Sequence, residues 1–150
     1  MAVKVVAKNR KASFEYFLME HFEAGLELRG TEIKSIRAGK VSLDEAYIMV
    51  DGKQAWLVEA HIAPYEEASR FNHDPKRPRR LLLHKKEILA LWTSVRQKGV
   101  TVVPIRMYLK DGRAKLEIAI GKGKKLYDKR ASIAEKDMKR ELERRKVRSS

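Results

Sequence analysis

Two Asp-Gly dipeptides, Asp51-Gly52 and Asp111-Gly112, each stand between runs in which apolar and polar residues alternate, and they constrain the fold more than any other feature of the chain. Both residue types tolerate a positive φ, which the tight turn of a right-twisted hairpin requires. The spacing predicts one antiparallel hairpin joining residues 41–50 to 53–62 and another joining 102–110 to 113–120. In the last run Ala114, Leu116, Ile118 and Ile120 alternate with Lys115 and Glu117. A third period-2 run covers 14–28, where Phe14, Tyr16, Leu18, Phe22, Ala24, Leu26 and Leu28 are apolar. A helical spacing (Phe14, Phe17, Leu18, His21, Phe22) competes over its first half, and Gly25 reads as a bulge or bend. Residues 1–11 have no clear period and read as a lead-in segment.

Two stretches carry helix signals. In GTEIKSIRAGK, residues 30–40, Thr31 is the candidate cap, Ile33 and Ile36 share a face, and Gly39 is placed as a stop. With the isoleucines buried, Glu32, Lys34, Ser35 and Arg37 are expected to face solvent. Residues 85–98 carry Ile88, Leu91, Trp92 and Val95 as an apolar stripe, with His84 and Glu87 at cap and N3 spacing and Gly99 as the stop. Between the hairpins, Pro64, Pro75 and Pro78 break any element, and Lys76, Arg77, Arg79 and Arg80 form a basic cluster expected on a loop. Five or six short strands with one helix inserted late predict a mainly β chain: an OB-fold-like antiparallel β-barrel with flanking helices, an architecture that recurrently binds oligonucleotides.

Charge points the same way. The chain has a net charge of +14, and residues 121–150 hold 12 Lys and Arg against 5 Asp and Glu, half of that total. The expected organisation is a folded body at 1–120, a basic hinge strip at 121–130 (GKGKKLYDKR) and a tail at 131–150. Each phosphate neutralised by such an arm releases condensed counterions, so nucleic acid is the expected partner. An acidic membrane fits less well, since no run of 18 apolar residues occurs and the tail lacks a bulky apolar face. The tail has a capping-box signature at Ser132 and Glu135 and favourable pairs at Glu135/Lys139 and Glu141/Arg145. It is expected to be disordered when free and helical on a polyanionic surface. A short apolar run at the N-terminus does not make a signal peptide, so the expected compartment is the cytoplasm.

Catalytic chemistry finds little support. Cysteine is absent, no two of His21, His61, His73 and His84 stand four apart, and the carboxylates are scattered, so no metal or cofactor is expected. The run at 121–125 lacks the spacing of a nucleotide-phosphate loop and reads as a basic strip beside RNA. Arg77, Arg79 and Arg80 have a plain alternative as a solvated loop, as do Lys34 and Arg37 as a solvated helix face. Most aromatics sit at strand or helix positions and read as core. Tyr127 is different: flanked by Lys125, Asp128, Lys129 and Arg130, it has only Leu126 to pack against, which suits stacking on a base.

Several long motifs carry a resemblance: NRKASFEYF at 9–17, EAGLELRGTEIKSIRAGK at 23–40, HIAPY at 61–65, DPKRPRRLLLHKKEI at 74–88, GVTVVPIRMY at 99–108 and GKGKKLYDKR at 121–130. In these the chain resembles the SsrA-binding (small protein B) family, partners of transfer-messenger RNA, over nearly its whole length. The resemblance implies an OB-fold body that binds the tRNA-like domain of that RNA and takes it, with elongation factor Tu, to ribosomes stalled without a codon, catalysing no reaction itself. It implies RNA contacts at Asn9 and on the helix bearing Glu32, Lys34, Ser35 and Arg37; the basic residues Lys11, Lys40, Arg77, Arg79 and Arg80 are further RNA-binding candidates, and Lys122, Lys124 and Lys125 are expected to add phosphate contacts. It further implies that Tyr127, Asp128, Lys129 and Arg130 lie near the small-subunit decoding centre. The tail, with Lys136, Lys139, Arg140, Arg144 and Arg145, would follow the mRNA channel. Tyr127 departs from the His common at that position, which preserves stacking but not a proton-transfer or charge role. A ribosomal or assembly protein, and an RNA-modifying enzyme or nuclease, are the alternatives from other classes.

Overall fold

The structure, a computed structural model, describes residues 3–65, 72–124 and 140. Its frame is three long antiparallel strands. β8 (Val100–Lys110) turns at Asp111-Gly112 into β9 (Arg113–Gly123), and β2 (Tyr16–Leu26) pairs antiparallel with the other edge of β9. Asp111 has φ 52° and Gly112 φ 80°, the turn the dipeptide predicts. The other strands extend this frame: β1 (Val3–Lys8), β3 (Val41–Ser42), β4 (Tyr47–Val50), β5 (Ala55–Val58), β6 (His61–Ile62) and β7 (Arg79–Leu82). Seven of them form one sheet in the order β1-β8-β9-β2-β7-β5-β4, and β3 pairs with β6. All pairings are antiparallel, and β4 packs back against β8, giving a mainly β, OB-like fold.

The core lies inside this coil. Ile48, Leu57, Leu81, Met107, Leu116 and Ile118 come from the inward positions of successive strands, and Ile36 and Leu91 from helices α2 (Gly30–Arg37) and α3 (Lys85–Val95). α1 (Ala12–Glu15) is one short turn that leads into β2 and buries Ala12. The strand reading of 14–28 thus holds over Tyr16–Leu26, while the competing helical reading fails, since α1 ends at Glu15 and Phe17, Leu18, His21 and Phe22 lie on β2. α3 begins as its sequence signals: the His84 amide donates to Glu87 Oε1 at 2.9 Å.

Four local expectations are overturned. Residues 1–11 are not a mere lead-in, because β1 pairs with β8 and gains from it the ladder its own sequence does not announce. The runs 41–50 and 53–62 each break in two. Asp51 Oδ1 accepts the amides of Lys53 and Gln54 at 3.0 and 2.7 Å, widening the turn, and Glu59 at φ 63° ends β5. Gly25 is not a bulge: the register shift of β2 lies between Leu18 and His21. A Cβ at Gly25 would stand 3.2 Å from Leu82 Cβ, so glycine there allows β7 to approach. Arg79 and Arg80 lie on β7, not on a loop. β8 also accommodates Pro104, which cannot donate to a ladder, at a register shift between Pro104 and Arg106.

Candidate nucleic-acid interface

α2 is the element through which the sheet meets its candidate RNA surface, and its residues divide into three stripes. Glu32, Ser35 and Ile36 are fully buried at 0% exposure. Lys34 lies over the Tyr65 ring at 5.3 Å, beside Thr31, whose hydroxyl pairs with His73 Nδ1 at 2.8 Å. Ile33 and Arg37 face the β8–β9 turn, where Arg37 Nη2 donates to the Gly112 carbonyl at 3.4 Å. The expectation that Glu32 and Ser35 face solvent is therefore overturned. Thr31 is not the cap either: Arg29 is the N-cap, and its amide donates to Glu32 Oε1 at 2.8 Å.

The reason for burying Glu32 comes from β7. Leu57 pairs with Arg79 and Trp56 with Arg80, so strand alternation turns Arg79 inward and Arg80 outward. A buried guanidinium needs a counter-charge. Glu32 supplies it, accepting from Arg79 Nε at 2.6 Å and from Arg77 Nη2 at 2.5 Å. Arg79 Nη1 and Nη2 donate to the carbonyls of Ala60 at 2.7 Å and Pro75 at 3.1 Å. Burial alone would raise the Glu32 carboxyl, but the hydrogen bonds from Arg77, the Arg29 amide and Arg79 together hold it below its ordinary value. Desolvation lowers Arg79, opposed by Glu32. Ser35 Oγ and Arg77 Nε are buried without a hydrogen-bond partner among the described residues. His73 Nε2 donates to the Ile62 carbonyl at 2.8 Å and so ties α2, through Thr31, to β6.

Among the described residues some cations on the body are matched with carboxylates and others are not. Lys76, Arg77, Arg79, Arg80, Arg106 and Lys110 are matched with carboxylates. Arg80 meets Glu27 at 2.7 Å, and Arg106 meets Glu117, which also binds His21, at 2.7 and 2.8 Å. The Tyr108 hydroxyl donates to Glu23; burial and this bond raise the phenol, and the same bond lowers the Glu23 carboxyl. Arg29, Lys34, Arg37, Arg113, Lys115 and Lys122 form no ion pair. This second group is available to phosphates.

The sequence candidates are brought together in two patches. Lys34, Arg37 and the mostly buried Arg77, its side chain 24% exposed, lie on or against α2. Around α1, Lys11 is exposed at the N-cap, and Lys124 Nζ donates to the Ser13 carbonyl at 3.0 Å and sits 5.0 Å over Phe17. Lys122, paired across to Phe17, is exposed on the neighbouring strand. Asn9 is chiefly structural in this state: its Nδ2 donates to the Pro104 carbonyl at 2.9 Å and its Oδ1 accepts the Lys11 amide. Lys40 is exposed just after α2, and Arg140 is exposed. Arg79, with Glu32 and Ser35, is not brought to the surface. Lys125, Tyr127, Asp128, Lys129, Arg130, Lys136, Lys139, Arg144 and Arg145 lie outside the described residues. Sequence reading passed over Arg29, Arg113 and Lys115, although strand alternation in 113–120 already turns Arg113 and Lys115 away from the core. Among the described residues no group of three or more His, Asp or Glu could hold a metal ion, and no helix is long and apolar enough to cross a membrane.

A family model described as SmpB protein matches residues 6–148. The chain belongs to the SmpB family. It is 54% identical over 141 residues to the SsrA-binding protein of Desulforudis audaxviator, covering 94% of this chain and 92% of that one. With the SsrA-binding protein of Pelotomaculum thermopropionicum it shares 54% over 144 residues, 96% of this chain and 94% of the relative. A chain in the solved structure "tmRNA-SmpB: a journey to the center of the bacterial ribosome" superposes with a TM-score of 0.65 at 45% identity, covering 79% of this chain and 84% of that one. SmpB membership thus extends over the OB-like body and into the basic residues beyond β9.

Proposed function

We propose that the protein binds the tRNA-like domain of transfer-messenger RNA and brings it to stalled ribosomes for trans-translation. The observation that carries this reading is similarity along nearly the whole chain to SsrA-binding proteins, and over 79% of it to a chain in a solved structure titled for tmRNA-SmpB and the bacterial ribosome. The physical chemistry agrees: a net charge of +14 includes a set of body cations that no carboxylate neutralises. Lys34, Arg37 and the outer edge of Arg77 contact RNA phosphates or ribose, and Lys11, Lys122 and Lys124 around α1, followed in sequence by Lys125, add phosphate contacts. Glu32, Ser35 and Arg79 act from beneath, with Glu32 fixing the orientation of Arg77 rather than touching RNA.

The body at 1–120 supplies recognition, and the strip at 121–130 leads to a tail at 131–150 that becomes helical along the empty mRNA channel. Tyr127, Asp128, Lys129 and Arg130 then lie by the decoding centre. Elongation factor Tu accompanies the complex, the site of action is the cytoplasm where ribosomes work, and the protein catalyses no reaction. The test is a rescue assay on ribosomes stalled at the end of a message lacking a stop codon. Deleting 131–150 is expected to leave binding to the tRNA-like RNA within about twofold and to abolish tagging. Tagging by the truncated protein would refute the tail assignment. Equal affinity of the full chain for tRNA-like and unrelated RNA would refute the function itself.

A further inference from the structure

The two Asp-Gly pairs that turn the hairpins are alike in sequence and opposite in surroundings. In an Asp-Gly pair the glycine amide nitrogen can attack the aspartyl carboxyl carbon, because a residue without a side chain leaves the approach open. Ring closure to a succinimide expels one water. Hydrolysis at one or the other ring carbonyl takes that water back and leaves either aspartate or isoaspartate, whose main chain runs through the former side-chain carboxyl and is one methylene longer. Nothing is oxidised or reduced, and water is the only co-reactant.

At Asp51-Gly52 the fold opposes the first step. Asp51 Oδ1 is held by the amides of Gln54 and Lys53 at 2.7 and 3.0 Å, and the Asp51 amide donates to the Gln54 carbonyl at 3.1 Å. Those hydrogen bonds, that from Gln54 foremost, hold the Asp51 carboxyl below its ordinary value and so keep it as the carboxylate, from which oxygen is harder to expel. Gly52 is packed as well, since a Cβ there would stand 3.3 Å from the Trp92 ring. Asp111-Gly112 lacks all of these restraints. Both residues are exposed, and a Cβ at Gly112 would meet open space. The Asp111 carboxylate has no hydrogen-bond or ion-pair partner among the described residues. Asp111 sits at φ 52°, a left-handed conformation disfavoured for a residue bearing a Cβ, so opening of the turn relieves strain. Outside the β8–β9 ladder, the Gly112 carbonyl accepts one long hydrogen bond, from Arg37 Nη2 at 3.4 Å. We propose that Asp111 is a site of spontaneous isoaspartate formation in the folded protein, and that the turn around Asp51 protects the other Asp-Gly pair from the same reaction. The longer main chain at 111 would break the two-residue turn that sets Lys110 opposite Arg113 and move the Gly112 carbonyl off Arg37.

The test ages the full-length protein for weeks at neutral pH and physiological temperature, in buffer and in parallel in guanidinium chloride. Samples are then unfolded and digested with an endoprotease that cuts before aspartate but not before isoaspartate, and mass spectrometry measures the uncut fraction at each site. Each amide hydrogen bond that must break before Asp51 can react lowers its reactive population roughly fivefold, so in buffer Asp111 should convert at least about tenfold faster than Asp51. In guanidinium chloride, where neither turn persists, the two rates should converge. Equal rates in buffer, a faster rate at Asp51, or no isoaspartate at Asp111 would overturn the proposal. A preference for Asp111 that persists unchanged in guanidinium chloride would overturn it too, because the difference would then lie in the neighbouring sequence and not in the fold.

Discussion

Replacing Glu32 by Ala should destabilise the protein far more than removing any other carboxylate of the α2 region. The side chain is fully buried and its two oxygens accept from Arg77 at 2.5 Å, Arg79 at 2.6 Å and the Arg29 amide at 2.8 Å. Alanine leaves the Arg79 guanidinium, itself at 0% exposure, with only backbone carbonyls as partners. Removing one partner of a buried ion pair costs about 3–5 kcal/mol. The carbonyls of Ala60 and Pro75 remain, which places the expectation near the lower end, about 3 kcal/mol. Against a total stability of roughly 5–15 kcal/mol that is a large share. In urea, with a slope of about 2 kcal/mol per molar, the midpoint should fall by about 1.5 M. The pH dependence has a definite sign. Glu32 is held below its ordinary 4.5, so its contribution is full above that value and is lost as pH falls through the lower folded value. The gap between wild type and Glu32→Ala should therefore narrow in acid below about pH 4.5. A loss under about 1 kcal/mol at neutral pH, or a gap that does not close in acid, would refute the buried Glu32–Arg79 pair as the anchor of α2.

Three further outcomes follow from the same geometry. Glu27→Ala breaks the pair with Arg80, but both side chains are well exposed at 60% and 41%, so unfolding should shift by only about 0.2–1 kcal/mol. Gly112→Ala, at φ 80°, should cost about 1 kcal/mol in denaturation through backbone strain alone, because a Cβ there meets open space, and Gly112→Asn should recover part of it. Charge reversal at Lys34 and Arg37 should weaken binding to tRNA-like RNA and flatten its salt dependence, while thermal unfolding stays nearly unchanged; unaltered affinity would place the binding face elsewhere.

Local chemistry made part of this fold legible and long-range partnership hid the rest. Asp111-Gly112 could be read outright because both residues supply the positive φ the turn needs, and His84 with Glu87 because a cap is a contact three residues long. β1 could not be read, since Val3–Lys8 acquires its strand character from β8 about a hundred residues later. The reach of the first hairpin was overstated because Asp51 bonds forward to Lys53 and Gln54, which no alternation of apolar residues reveals. Of the RNA candidates, Lys34, Arg37 and the α1 patch are where a basic sequence suggests, on the surface. Glu32, Ser35 and Arg79 are not. A charge buried on α2 is explicable only with an arginine 47 positions away turned inward by the pairing of β7 with β5. The same alternation places Arg113 and Lys115 outward, a signal present in the sequence but overshadowed by denser basic runs.

The most direct test of the account is competition binding of the full chain to tRNA-like-domain RNA against an unrelated hairpin of equal length, at near-physiological salt. The account predicts a preference for the tRNA-like RNA that persists as salt is raised and is reduced by Lys34/Arg37 reversal. Equal affinities with equal salt slopes would mean that the body offers phosphates a basic surface and nothing more, and would contradict it.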